Sequence, residues 1–368
     1  MSMASAAIER ERLAALLRDM VNIYSPTGKE EELVDFLQAY LQAAGLPVER
    51  QPVDETRCNL LVRNGTAAPG TLFLGHVDTV PAFDFEEYSF SMRNGQCRGL
   101  GTADMKGGCA ALIEAFVAAA HSGTLPSSAV LALVVGEEDV GDGTQALLRQ
   151  HRFAQAVVAE PTDLKPCLEH YGYVEMEVHA FGYRRHAAMS GRDTNAIRAL
   201  LRLLIQLEER VENDNPGTVL NIRDLHSSES GFAVPDRCAA SVDLHLPPAV
   251  AAGSYAQSLR AFAEQELERS GASRHEIEFA TLADGFRVDP LSPLPQQLLH
   301  VFMAEQRTWT PDSFQSHSDA SLLRDAGCPS VVLGPGLLAK AHTRDESVEL
   351  EQVQTAARLY ARLLDRLE

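Results

Sequence analysis

The sequence predicts an α/β fold with a mostly parallel sheet, into which a smaller α+β domain is inserted. Three observations predict this fold. Short runs of Val, Leu, Ala and Phe alternate with helical patterns in the first half and at the end of the chain, which is typical of strands covered by helices on both faces. Residues 173–181 instead alternate apolar and polar side chains, as a half-exposed strand does. The length of 368 residues suits two domains.

The first part of the chain is predicted to alternate helices and buried strands. Apolar residues recur at helical spacing over 8–20 and, behind a Ser-Pro-Thr-Gly turn, over 30–44. The remaining patterns predict strands at 59–62, 71–75, 129–135 and 156–159, with a helix at 108–120. The last part returns to this pattern, with helices at 295–305, 318–326 and 350–367 and a strand at 330–333.

The middle of the chain predicts a different layer. A helix at 195–212 follows the alternating strand, and then come strands near 218–225 and 239–246, a helix at 256–270 and a strand at 276–282. This β-α-β-β-α-β order is that of a ferredoxin-like split βαβ layer with antiparallel strands. We therefore predict a discontinuous α/β domain at 1–165 and 284–368, and an inserted domain at 166–283.

Composition excludes two classes of partner. With 32 Lys and Arg against 51 Asp and Glu, the net charge is −19, whereas nucleic acid and anionic membranes are bound by basic patches. We also expect no membrane span, because no apolar run approaches the ~20 residues that one requires. The amphipathic start of the chain is not typical of a signal peptide, and the six cysteines form no CxxC pair. A cytoplasmic protein is expected.

The first candidate site segment is GHVDTVP at 75–81, directly after a predicted strand. His76 and Asp78 point to the same side of an extended chain because they are two residues apart. Histidine is a good zinc ligand, and a neighbouring carboxylate can fix the orientation of its ring. A histidine at a strand end is more often structural, so this segment alone leaves both interpretations open.

Two further segments carry carboxylates at predicted turns. Asp104 lies in GTADMKGG at 101–108, before a helix, where it can bind a metal or simply cap the helix. In GEED at 136–139, adjacent carboxylates repel one another unless cations or solvent relieve them. Glu137 and Glu138 reach one site only if the chain leaves the sheet, which Gly136 permits. A solvated acidic turn is the alternative.

Two more segments complete the set, with Glu160 in AEPT at 159–162 and His342 in AHTRDE at 341–346. Each alone is compatible with an ordinary loop. Together, however, five strand ends or following loops each deliver His, Asp or Glu, and the carboxyl ends of parallel strands share one edge. Such a set suits two metals about 3.5–4 Å apart that share a carboxylate. Nitrogen and oxygen donors without thiolate favour two Zn²⁺, with Co²⁺ or Mn²⁺ as possible substitutes.

The segments GHVDTVP, GTADMKGG, VVGEED, AEPT, SHSDASLLRDAG and AHTRDE, in this order, resemble a known family across essentially the whole chain. It is the di-zinc deacylase and exopeptidase family of acetylornithine deacetylase, succinyl-diaminopimelate desuccinylase, aminoacylase and carboxypeptidase G. The resemblance implies the following metal ligands: His76 and Glu160 on one zinc, Glu138 and His342 on the other, and Asp104 bridging. It further implies Glu137 as general base and Asp78 as the carboxylate behind His76.

The resemblance also extends to the inserted domain, which it implies to be a lid that mediates homodimerisation. The segment GYRRHA at 182–187 matches the Gly-x-x-x-His-Ala segment of the family. In that family the histidine reaches an active site, often that of the partner subunit, and helps to hold the oxyanion. His186 is therefore predicted to be a catalytic helper. The alternative is a surface histidine among basic neighbours.

Three departures from the family pattern concern substrate recognition. The chain has Ala233 where the family usually has Asn before Val-Pro-Asp, and His245 and Leu100 where it usually has Arg. These positions lie near substrate contacts or their support in the family, so the resemblance does not transfer any one substrate to this chain.

The predicted function is that of a zinc-dependent amidohydrolase. It would remove the acyl group from an N-acyl amino acid, as acetylornithine deacetylase does, by metal-activated water with Glu137 as general base. A dipeptidase or glutamate-type carboxypeptidase with the same centre is the alternative among enzymes, with a short peptide as substrate. A metal-binding or peptide-binding protein without catalysis is the alternative of another class.

Overall fold

A computed structural model of the chain describes residues 7–65, 70–82, 88–190 and 195–367. The helices in this part of the chain are α1 (Arg10–Asn22), α2 (Glu31–Ala43), α3 (Lys106–Ser122), α4 (Asp142–Gln150), α5 (Ala196–Asp214), α6 (Ala252–Arg269), α7 (Pro293–Ala304), α8 (Ala320–Asp325) and α9 (Leu350–Leu364). The strands of the first half are β1 (Val48–Pro52), β2 (Cys58–Arg63), β3 (Thr71–His76), β4 (Ser91–Arg93), β5 (Gln96–Arg98), β6 (Ala129–Val134), β7 (Gln155–Val158) and β8 (Cys167–His170). Those of the second half are β9 (Gly172–Phe181), β10 (Val219–Ser227), β11 (Arg237–Leu246), β12 (Arg274–Ala283), β13 (Phe286–Arg287), β14 (Asp312–Phe314), β15 (Ser330–Val332) and β16 (Ser347–Glu349).

The chain divides into two compact units. The first unit comprises Met1–Leu168, Val288–Asp312 and Ser318–Glu368, and the second comprises Glu169–Arg287 and Ser313–His317. Each unit has a hydrophobic core of its own. Among the described residues, none of the helices combines the length and the apolar composition that a membrane crossing demands.

The first unit is built on a large sheet with strand order β1-β2-β6-β3-β7-β15-β8. The central strands β6, β3, β7 and β15 run parallel, while β1, β2 and β8 are antiparallel to their neighbours. β3 and β6 are buried at every position, as expected for strands covered on both faces. The predicted mixed α/β class with a mostly parallel sheet is therefore confirmed.

Helix α3 explains how the sheet is covered on one face. Its residues from Lys106 to Ala119 are all buried, so this helix is enclosed on every side rather than amphipathic. Phe116 of α3 meets Phe73 of β3 edge to face at 5.4 Å between ring centroids, and Tyr360 of α9 adds a second edge contact to Phe73 at 6.4 Å. These aromatic contacts fix the helix that follows the Asp104 loop against the strand that ends in His76.

Parallel pairing determines where the polar side chains meet. β3 ends at His76, β6 at Val134 and β7 at Val158, and these parallel strands present their carboxyl ends to the same edge of the sheet. The segments that follow them, which contain Glu137, Glu138 and Glu160, therefore begin at one edge.

The second unit has the predicted β-α-β-β-α-β order, formed by β9, α5, β10, β11, α6 and β12. Its sheet order is β10-β11-β9-β12 with antiparallel pairs throughout, which is the ferredoxin-like arrangement. Burial alternates strictly along β9, as the sequence pattern predicts. The buried side chains of β9 and those of α5 and α6 belong to one core.

Several short elements and some boundaries differ from the prediction. The nine-residue helix α4 and short strands such as β4, β5 and β16 are not predicted, because they lack both a long apolar run and a sustained periodicity. Helix α6 starts at Ala252, whereas the predicted helix begins at residue 256. The predicted helix over 318–326 is shorter in the structure, where α8 spans Ala320–Asp325.

Candidate metal centre

The predicted ligands meet at the carboxyl edge of the sheet in the first unit. His76, Asp104 and Glu160 form one group, and Asp104, Glu138 and His342 form another. Within each group the potential ligand atoms lie within 4.8 Å of one another. Asp104 belongs to both groups, so the two share one carboxylate.

The two carboxylate oxygens of Asp104 face different histidines. Oδ1 lies 3.3 Å from Nε2 of His76, and Oδ2 lies 3.5 Å from Nε2 of His342. Each histidine also faces a second carboxylate, because His76 Nε2 is 3.8 Å from Glu160 Oε1 and His342 Nε2 is 3.1 Å from Glu138 Oε2. This is the geometry that a carboxylate shared between two cations requires.

The two groups differ in their access to solvent. The side chains of His76 and Glu160 are only 1% and 4% exposed, whereas that of His342 is 48% exposed. The group around His76 is therefore enclosed, and the group around His342 opens to water.

Glu137 lies beside the centre without belonging to either group. Its Oε2 is 3.9 Å from His76 Nε2, and its side chain is 12% exposed. Gly136 has φ +76°, and an added Cβ would lie 2.1 Å from Asp142 Oδ1, so only glycine suits this turn. β6 ends at Val134, so the chain has left the sheet before it reaches the two glutamates.

Asp78 supports the turn that carries both glutamates. Its carboxylate accepts hydrogen bonds from the backbone N–H of Glu137 at 3.2 Å, from that of Glu138 at 3.0 Å and from the hydroxyl of Thr27 at 2.8 Å. Asp78 Oδ1 also lies 3.6 Å from Nδ1 of His76, but the nearer oxygen to that nitrogen is the backbone carbonyl of Asp78, at 3.1 Å. The carboxylate therefore contacts both the histidine and the glutamate turn.

Burial and the neighbouring charges shift the pKa values of the carboxylates and histidines in this site. Burial, followed by the charge of Asp104, raises the pKa of Glu160 to about 8. Burial likewise raises the pKa of Glu137 well above its usual range. Burial lowers the pKa of His342, but the hydrogen-bonded carboxylate of Glu138 outweighs this and raises it to about 9. The pKa of His76 rises for the same reason, since nearby carboxylates, that of Glu160 first, overcome its burial.

These residues fit divalent cations. Oε1 of Glu160 is buried and has no hydrogen-bond partner among the described residues, which is costly for a carboxylate oxygen unless a cation faces it. Both groups offer imidazole nitrogen and carboxylate oxygen, and neither contains a cysteine. That donor set suits Zn²⁺ and similar metals.

Two buried carboxylates outside the predicted set lie in the same region. Asp319 is 2% exposed and accepts a hydrogen bond from the hydroxyl of Thr144 at 2.7 Å, and burial raises its pKa to about 7. Glu346 is 3% exposed, and burial raises its pKa to about 7 although three backbone N–H groups lower it. Both lie in segments that carry the family resemblance, SHSD and AHTRDE. The sequence offers no local signal of their burial, because their partners are distant in the chain.

His186 lies in the second unit and is exposed. Its Nδ1 accepts a hydrogen bond from the backbone N–H of Ala188 at 3.2 Å, which caps a short turn, and its backbone forms a bridge with Ala233. Its role as a catalytic helper stays a prediction.

A family model described as Peptidase family M20/M25/M40 matches residues 72–366, most of the chain. Curated relatives named acetylornithine deacetylase are 28% identical over 358 residues in Edwardsiella ictaluri and 27% identical over 356 residues in Klebsiella pneumoniae. Each alignment covers 91% of this chain and 90% of the relative.

Solved structures share the fold over nearly the full length. A tripeptidase from Staphylococcus aureus has a TM-score of 0.81 at 19% identity, with 98% of each chain covered. A dipeptidase from Saccharomyces cerevisiae has a TM-score of 0.79 at 12% identity, covering 97% of this chain and 95% of that one. A Bacillus subtilis protein described as a dinuclear metal-binding peptidase of the M20 family has a TM-score of 0.71 at 13% identity, covering 97% of this chain and 98% of that one.

Together with the site, these similarities define a class of enzyme. The protein is a hydrolase of amide or peptide bonds. It belongs to Peptidase family M20/M25/M40.

The shared carboxylate generates a prediction for metal binding. We expect Asp104→Ala to weaken metal binding at both groups, and His342→Ala to weaken it at one, because Asp104 belongs to two groups and His342 to one. Each affected affinity should fall by more than about tenfold, the loss typical when even a residue that supports a ligand is removed. Calorimetric titration of the metal-free protein with Zn²⁺ measures both the affinity and the number of ions.

Asp139→Ala serves as the control for this titration, because Asp139 is exposed and adjoins Glu138 without joining either group. Wild-type uptake by the Asp104→Ala variant would contradict the shared-ligand arrangement.

Proposed function

We propose that this protein is a di-zinc deacylase that hydrolyses the amide bond of an N-acyl amino acid. The observation that carries the proposal is the position of Asp104, which turns one oxygen to each of two histidine–carboxylate pairs while Glu137 lies beside them. Support for a deacylase comes from the curated relatives, which bear the name acetylornithine deacetylase and align over nine-tenths of their length. The dinuclear metal site named for the Bacillus subtilis neighbour supports two ions.

Five side chains would hold the two ions. His76 and Glu160 would bind one, Glu138 and His342 the other, and Asp104 both. Zn²⁺ is the first choice for these donors, and Co²⁺ or Mn²⁺ are suitable substitutes. When bound, the metals supply Lewis acidity, which polarises a carbonyl oxygen and makes hydroxide available near neutral pH.

Glu137 performs the proton transfers in this proposal. Its carboxylate faces the same space as His76 Nε2 but belongs to neither ligand group, so it is available to accept a proton. It takes a proton from the attacking water and later donates it to the leaving amine nitrogen. Asp78 keeps the carboxylate in place, because it holds the backbone N–H groups of Glu137 and Glu138.

Glu137→Gln tests this role. We expect the variant to bind metal as the wild type does, because Glu137 is in neither ligand group, and its kcat to fall by about 10²–10⁴-fold, as when a general base is lost. Steady-state kinetics and a Zn²⁺ titration on the same preparation measure both quantities. Asp139→Asn removes one carboxylate from the same turn at an exposed position and should keep full activity. Near-wild-type turnover by Glu137→Gln would refute the assignment.

A substrate panel tests the proposed reaction. The protein, loaded with Zn²⁺, is offered N-acetyl, N-succinyl and N-glutamyl amino acids together with dipeptides. We expect release of the free amino acid from an N-acyl amino acid, loss of activity on chelation and recovery on return of Zn²⁺ or Co²⁺. Turnover confined to the dipeptides would replace the deacylase by a dipeptidase. Tight metal binding without turnover of any compound would favour a binding protein.

For the second unit we propose the lid and dimerisation role that the family resemblance implies, with His186 as the helper and residues 166–283 as the inserted domain. Residues 1–165 and 284–368 would form the catalytic domain. We also propose a cytoplasmic location, which the free state of all six cysteines supports.

The open edge of the second unit's sheet supports dimerisation. β10 is an edge strand with exposed Val219 and Leu225, and α5, which shares the core with this sheet, exposes Leu201 and Ile205. An uncovered edge with apolar neighbours is suited to pairing with the same edge of a second copy about a two-fold axis.

Charge introduced at this surface should separate the dimer. We expect the wild type to elute with twice the mass of the chain in size exclusion with light scattering. Ile205→Glu should shift the protein toward monomer, because a buried unpaired charge at an interface is costly. Leu282→Glu is the matched control, since Leu282 is similarly exposed but lies on β12, the opposite edge strand. A dimer unaffected by Ile205→Glu would exclude this surface.

A further inference from the structure

Glu346 is a buried carboxylate with an unusual set of donors. It is 3% exposed, and its side chain accepts hydrogen bonds from three backbone N–H groups of one loop. Oε2 accepts from Gly101 at 3.0 Å, whereas Oε1 accepts from Ala103 at 2.9 Å and from Asp104 at 3.1 Å. A loop that turns successive N–H groups toward one point forms a concave binding site for an anion, and here the anion is part of the chain.

Strand pairing delivers Glu346 to this loop. β16 pairs antiparallel with β5, with Ser347 opposite Arg98. The register continues one step beyond the strands, because the backbone N–H of Gly99 donates to the carbonyl oxygen of Glu346 at 3.3 Å. The side chain of Glu346 therefore lies beside the segment that follows β5 and contains Asp104.

We propose that Glu346 is a positioning residue that sets the bridging carboxylate of Asp104 through its backbone. Charge-assisted hydrogen bonds to a carboxylate are roughly twice as strong as neutral ones, and one of these three is to the N–H of Asp104 itself. Glu346 also follows His342 by four residues, so it connects the segments that carry two ligands of the same group. This inference rests on the proposed metal centre.

Glu346 differs from the ligands in what its oxygens contact. Both oxygens are engaged by amide protons, and neither ligand group includes this residue. Asp104, in contrast, directs its oxygens at His76 and His342. Glu346 therefore acts on the metals through the loop and not as a ligand.

Glu346→Gln removes the charge with little change of shape. An amide has one acceptor oxygen, whereas the loop presents donors to both oxygens of Glu346. Whichever way the side-chain amide of the variant turns, its NH₂ group must face a backbone N–H of the loop. We expect the Asp104 loop to shift and the affinity for Co²⁺ to fall about tenfold or more, as when a residue that orients a ligand is lost.

The test is a Co²⁺ titration of the metal-free full-length protein, followed by the visible absorption of the bound ion and by calorimetry. Glu346→Gln should bind more weakly and change the absorption spectrum. Asp345→Asn is the matched control, because it removes an adjacent carboxylate whose side chain is 89% exposed. It should match the wild type in both Co²⁺ affinity and absorption spectrum. The thermal midpoint of each metal-free variant is recorded as well. A merely structural role would lower that midpoint and leave affinity and spectrum unchanged, which would overturn the proposal.

Glu346→Asp covers the case in which the glutamine variant does not fold. It keeps the charge but withdraws the carboxylate by one methylene, so its Co²⁺ affinity should fall between those of the wild type and Glu346→Gln. Wild-type affinity and spectrum in Glu346→Asp would then overturn the proposal. The proposed function fails separately, if the wild type itself binds no metal or, once loaded, hydrolyses none of the substrate panel.

Discussion

Repulsion between carboxylates that are buried together is the constraint on which the site depends. Asp104, Glu137, Glu138 and Glu160 lie at one edge of a sheet, where little water reaches them to screen their charge. Their own counter-charges are two histidines, and burial, reinforced by the neighbouring carboxylates, raises the pKa values of Glu137 and Glu160 and so disfavours their charged forms. Divalent cations would supply the missing positive charge. A fold that assembles such a cluster would therefore gain stability and a metal centre from the same binding event.

The carboxylates of this region fall into two kinds according to their partners. Asp78 and Glu346 each accept backbone N–H groups, whose dipoles favour the charged carboxylate, and they hold the loops around them. Asp104 and Glu160 direct oxygens toward histidine nitrogen instead, and those oxygens are the ones available to a cation. The first kind builds the loops, and the second kind is available for binding. In the proposed mechanism Glu137, next to a ligand but outside both groups, performs the proton transfer.

Local sequence patterns predicted much of the fold and of the candidate site, because the patterns that reveal a strand extend over only a few residues. Buried runs of Val, Leu and Ala identified β3, β6 and β7, and strict alternation identified β9. His76, Glu138 and Glu160 lie at or just beyond the ends of these strands, and parallel strands end at one edge, so their convergence followed from topology. The helix α4 and the short strands β5 and β16 were not predicted, since they lack both a long buried apolar run and a sustained periodicity.

The α/β class, the ferredoxin-like order of the second unit and the candidate metal ligands can be inferred from the amino-acid sequence alone. How those residues are held depends on contacts that form only in the folded chain. Asp78 receives N–H groups from residues 59 and 60 positions away, and Glu346 from residues at least 242 positions away. No local pattern encodes such pairs, because a backbone N–H is the same in every residue except proline. Which amide meets which carboxylate is settled by strand pairing, as between β5 and β16, and that pairing exists only in the folded chain.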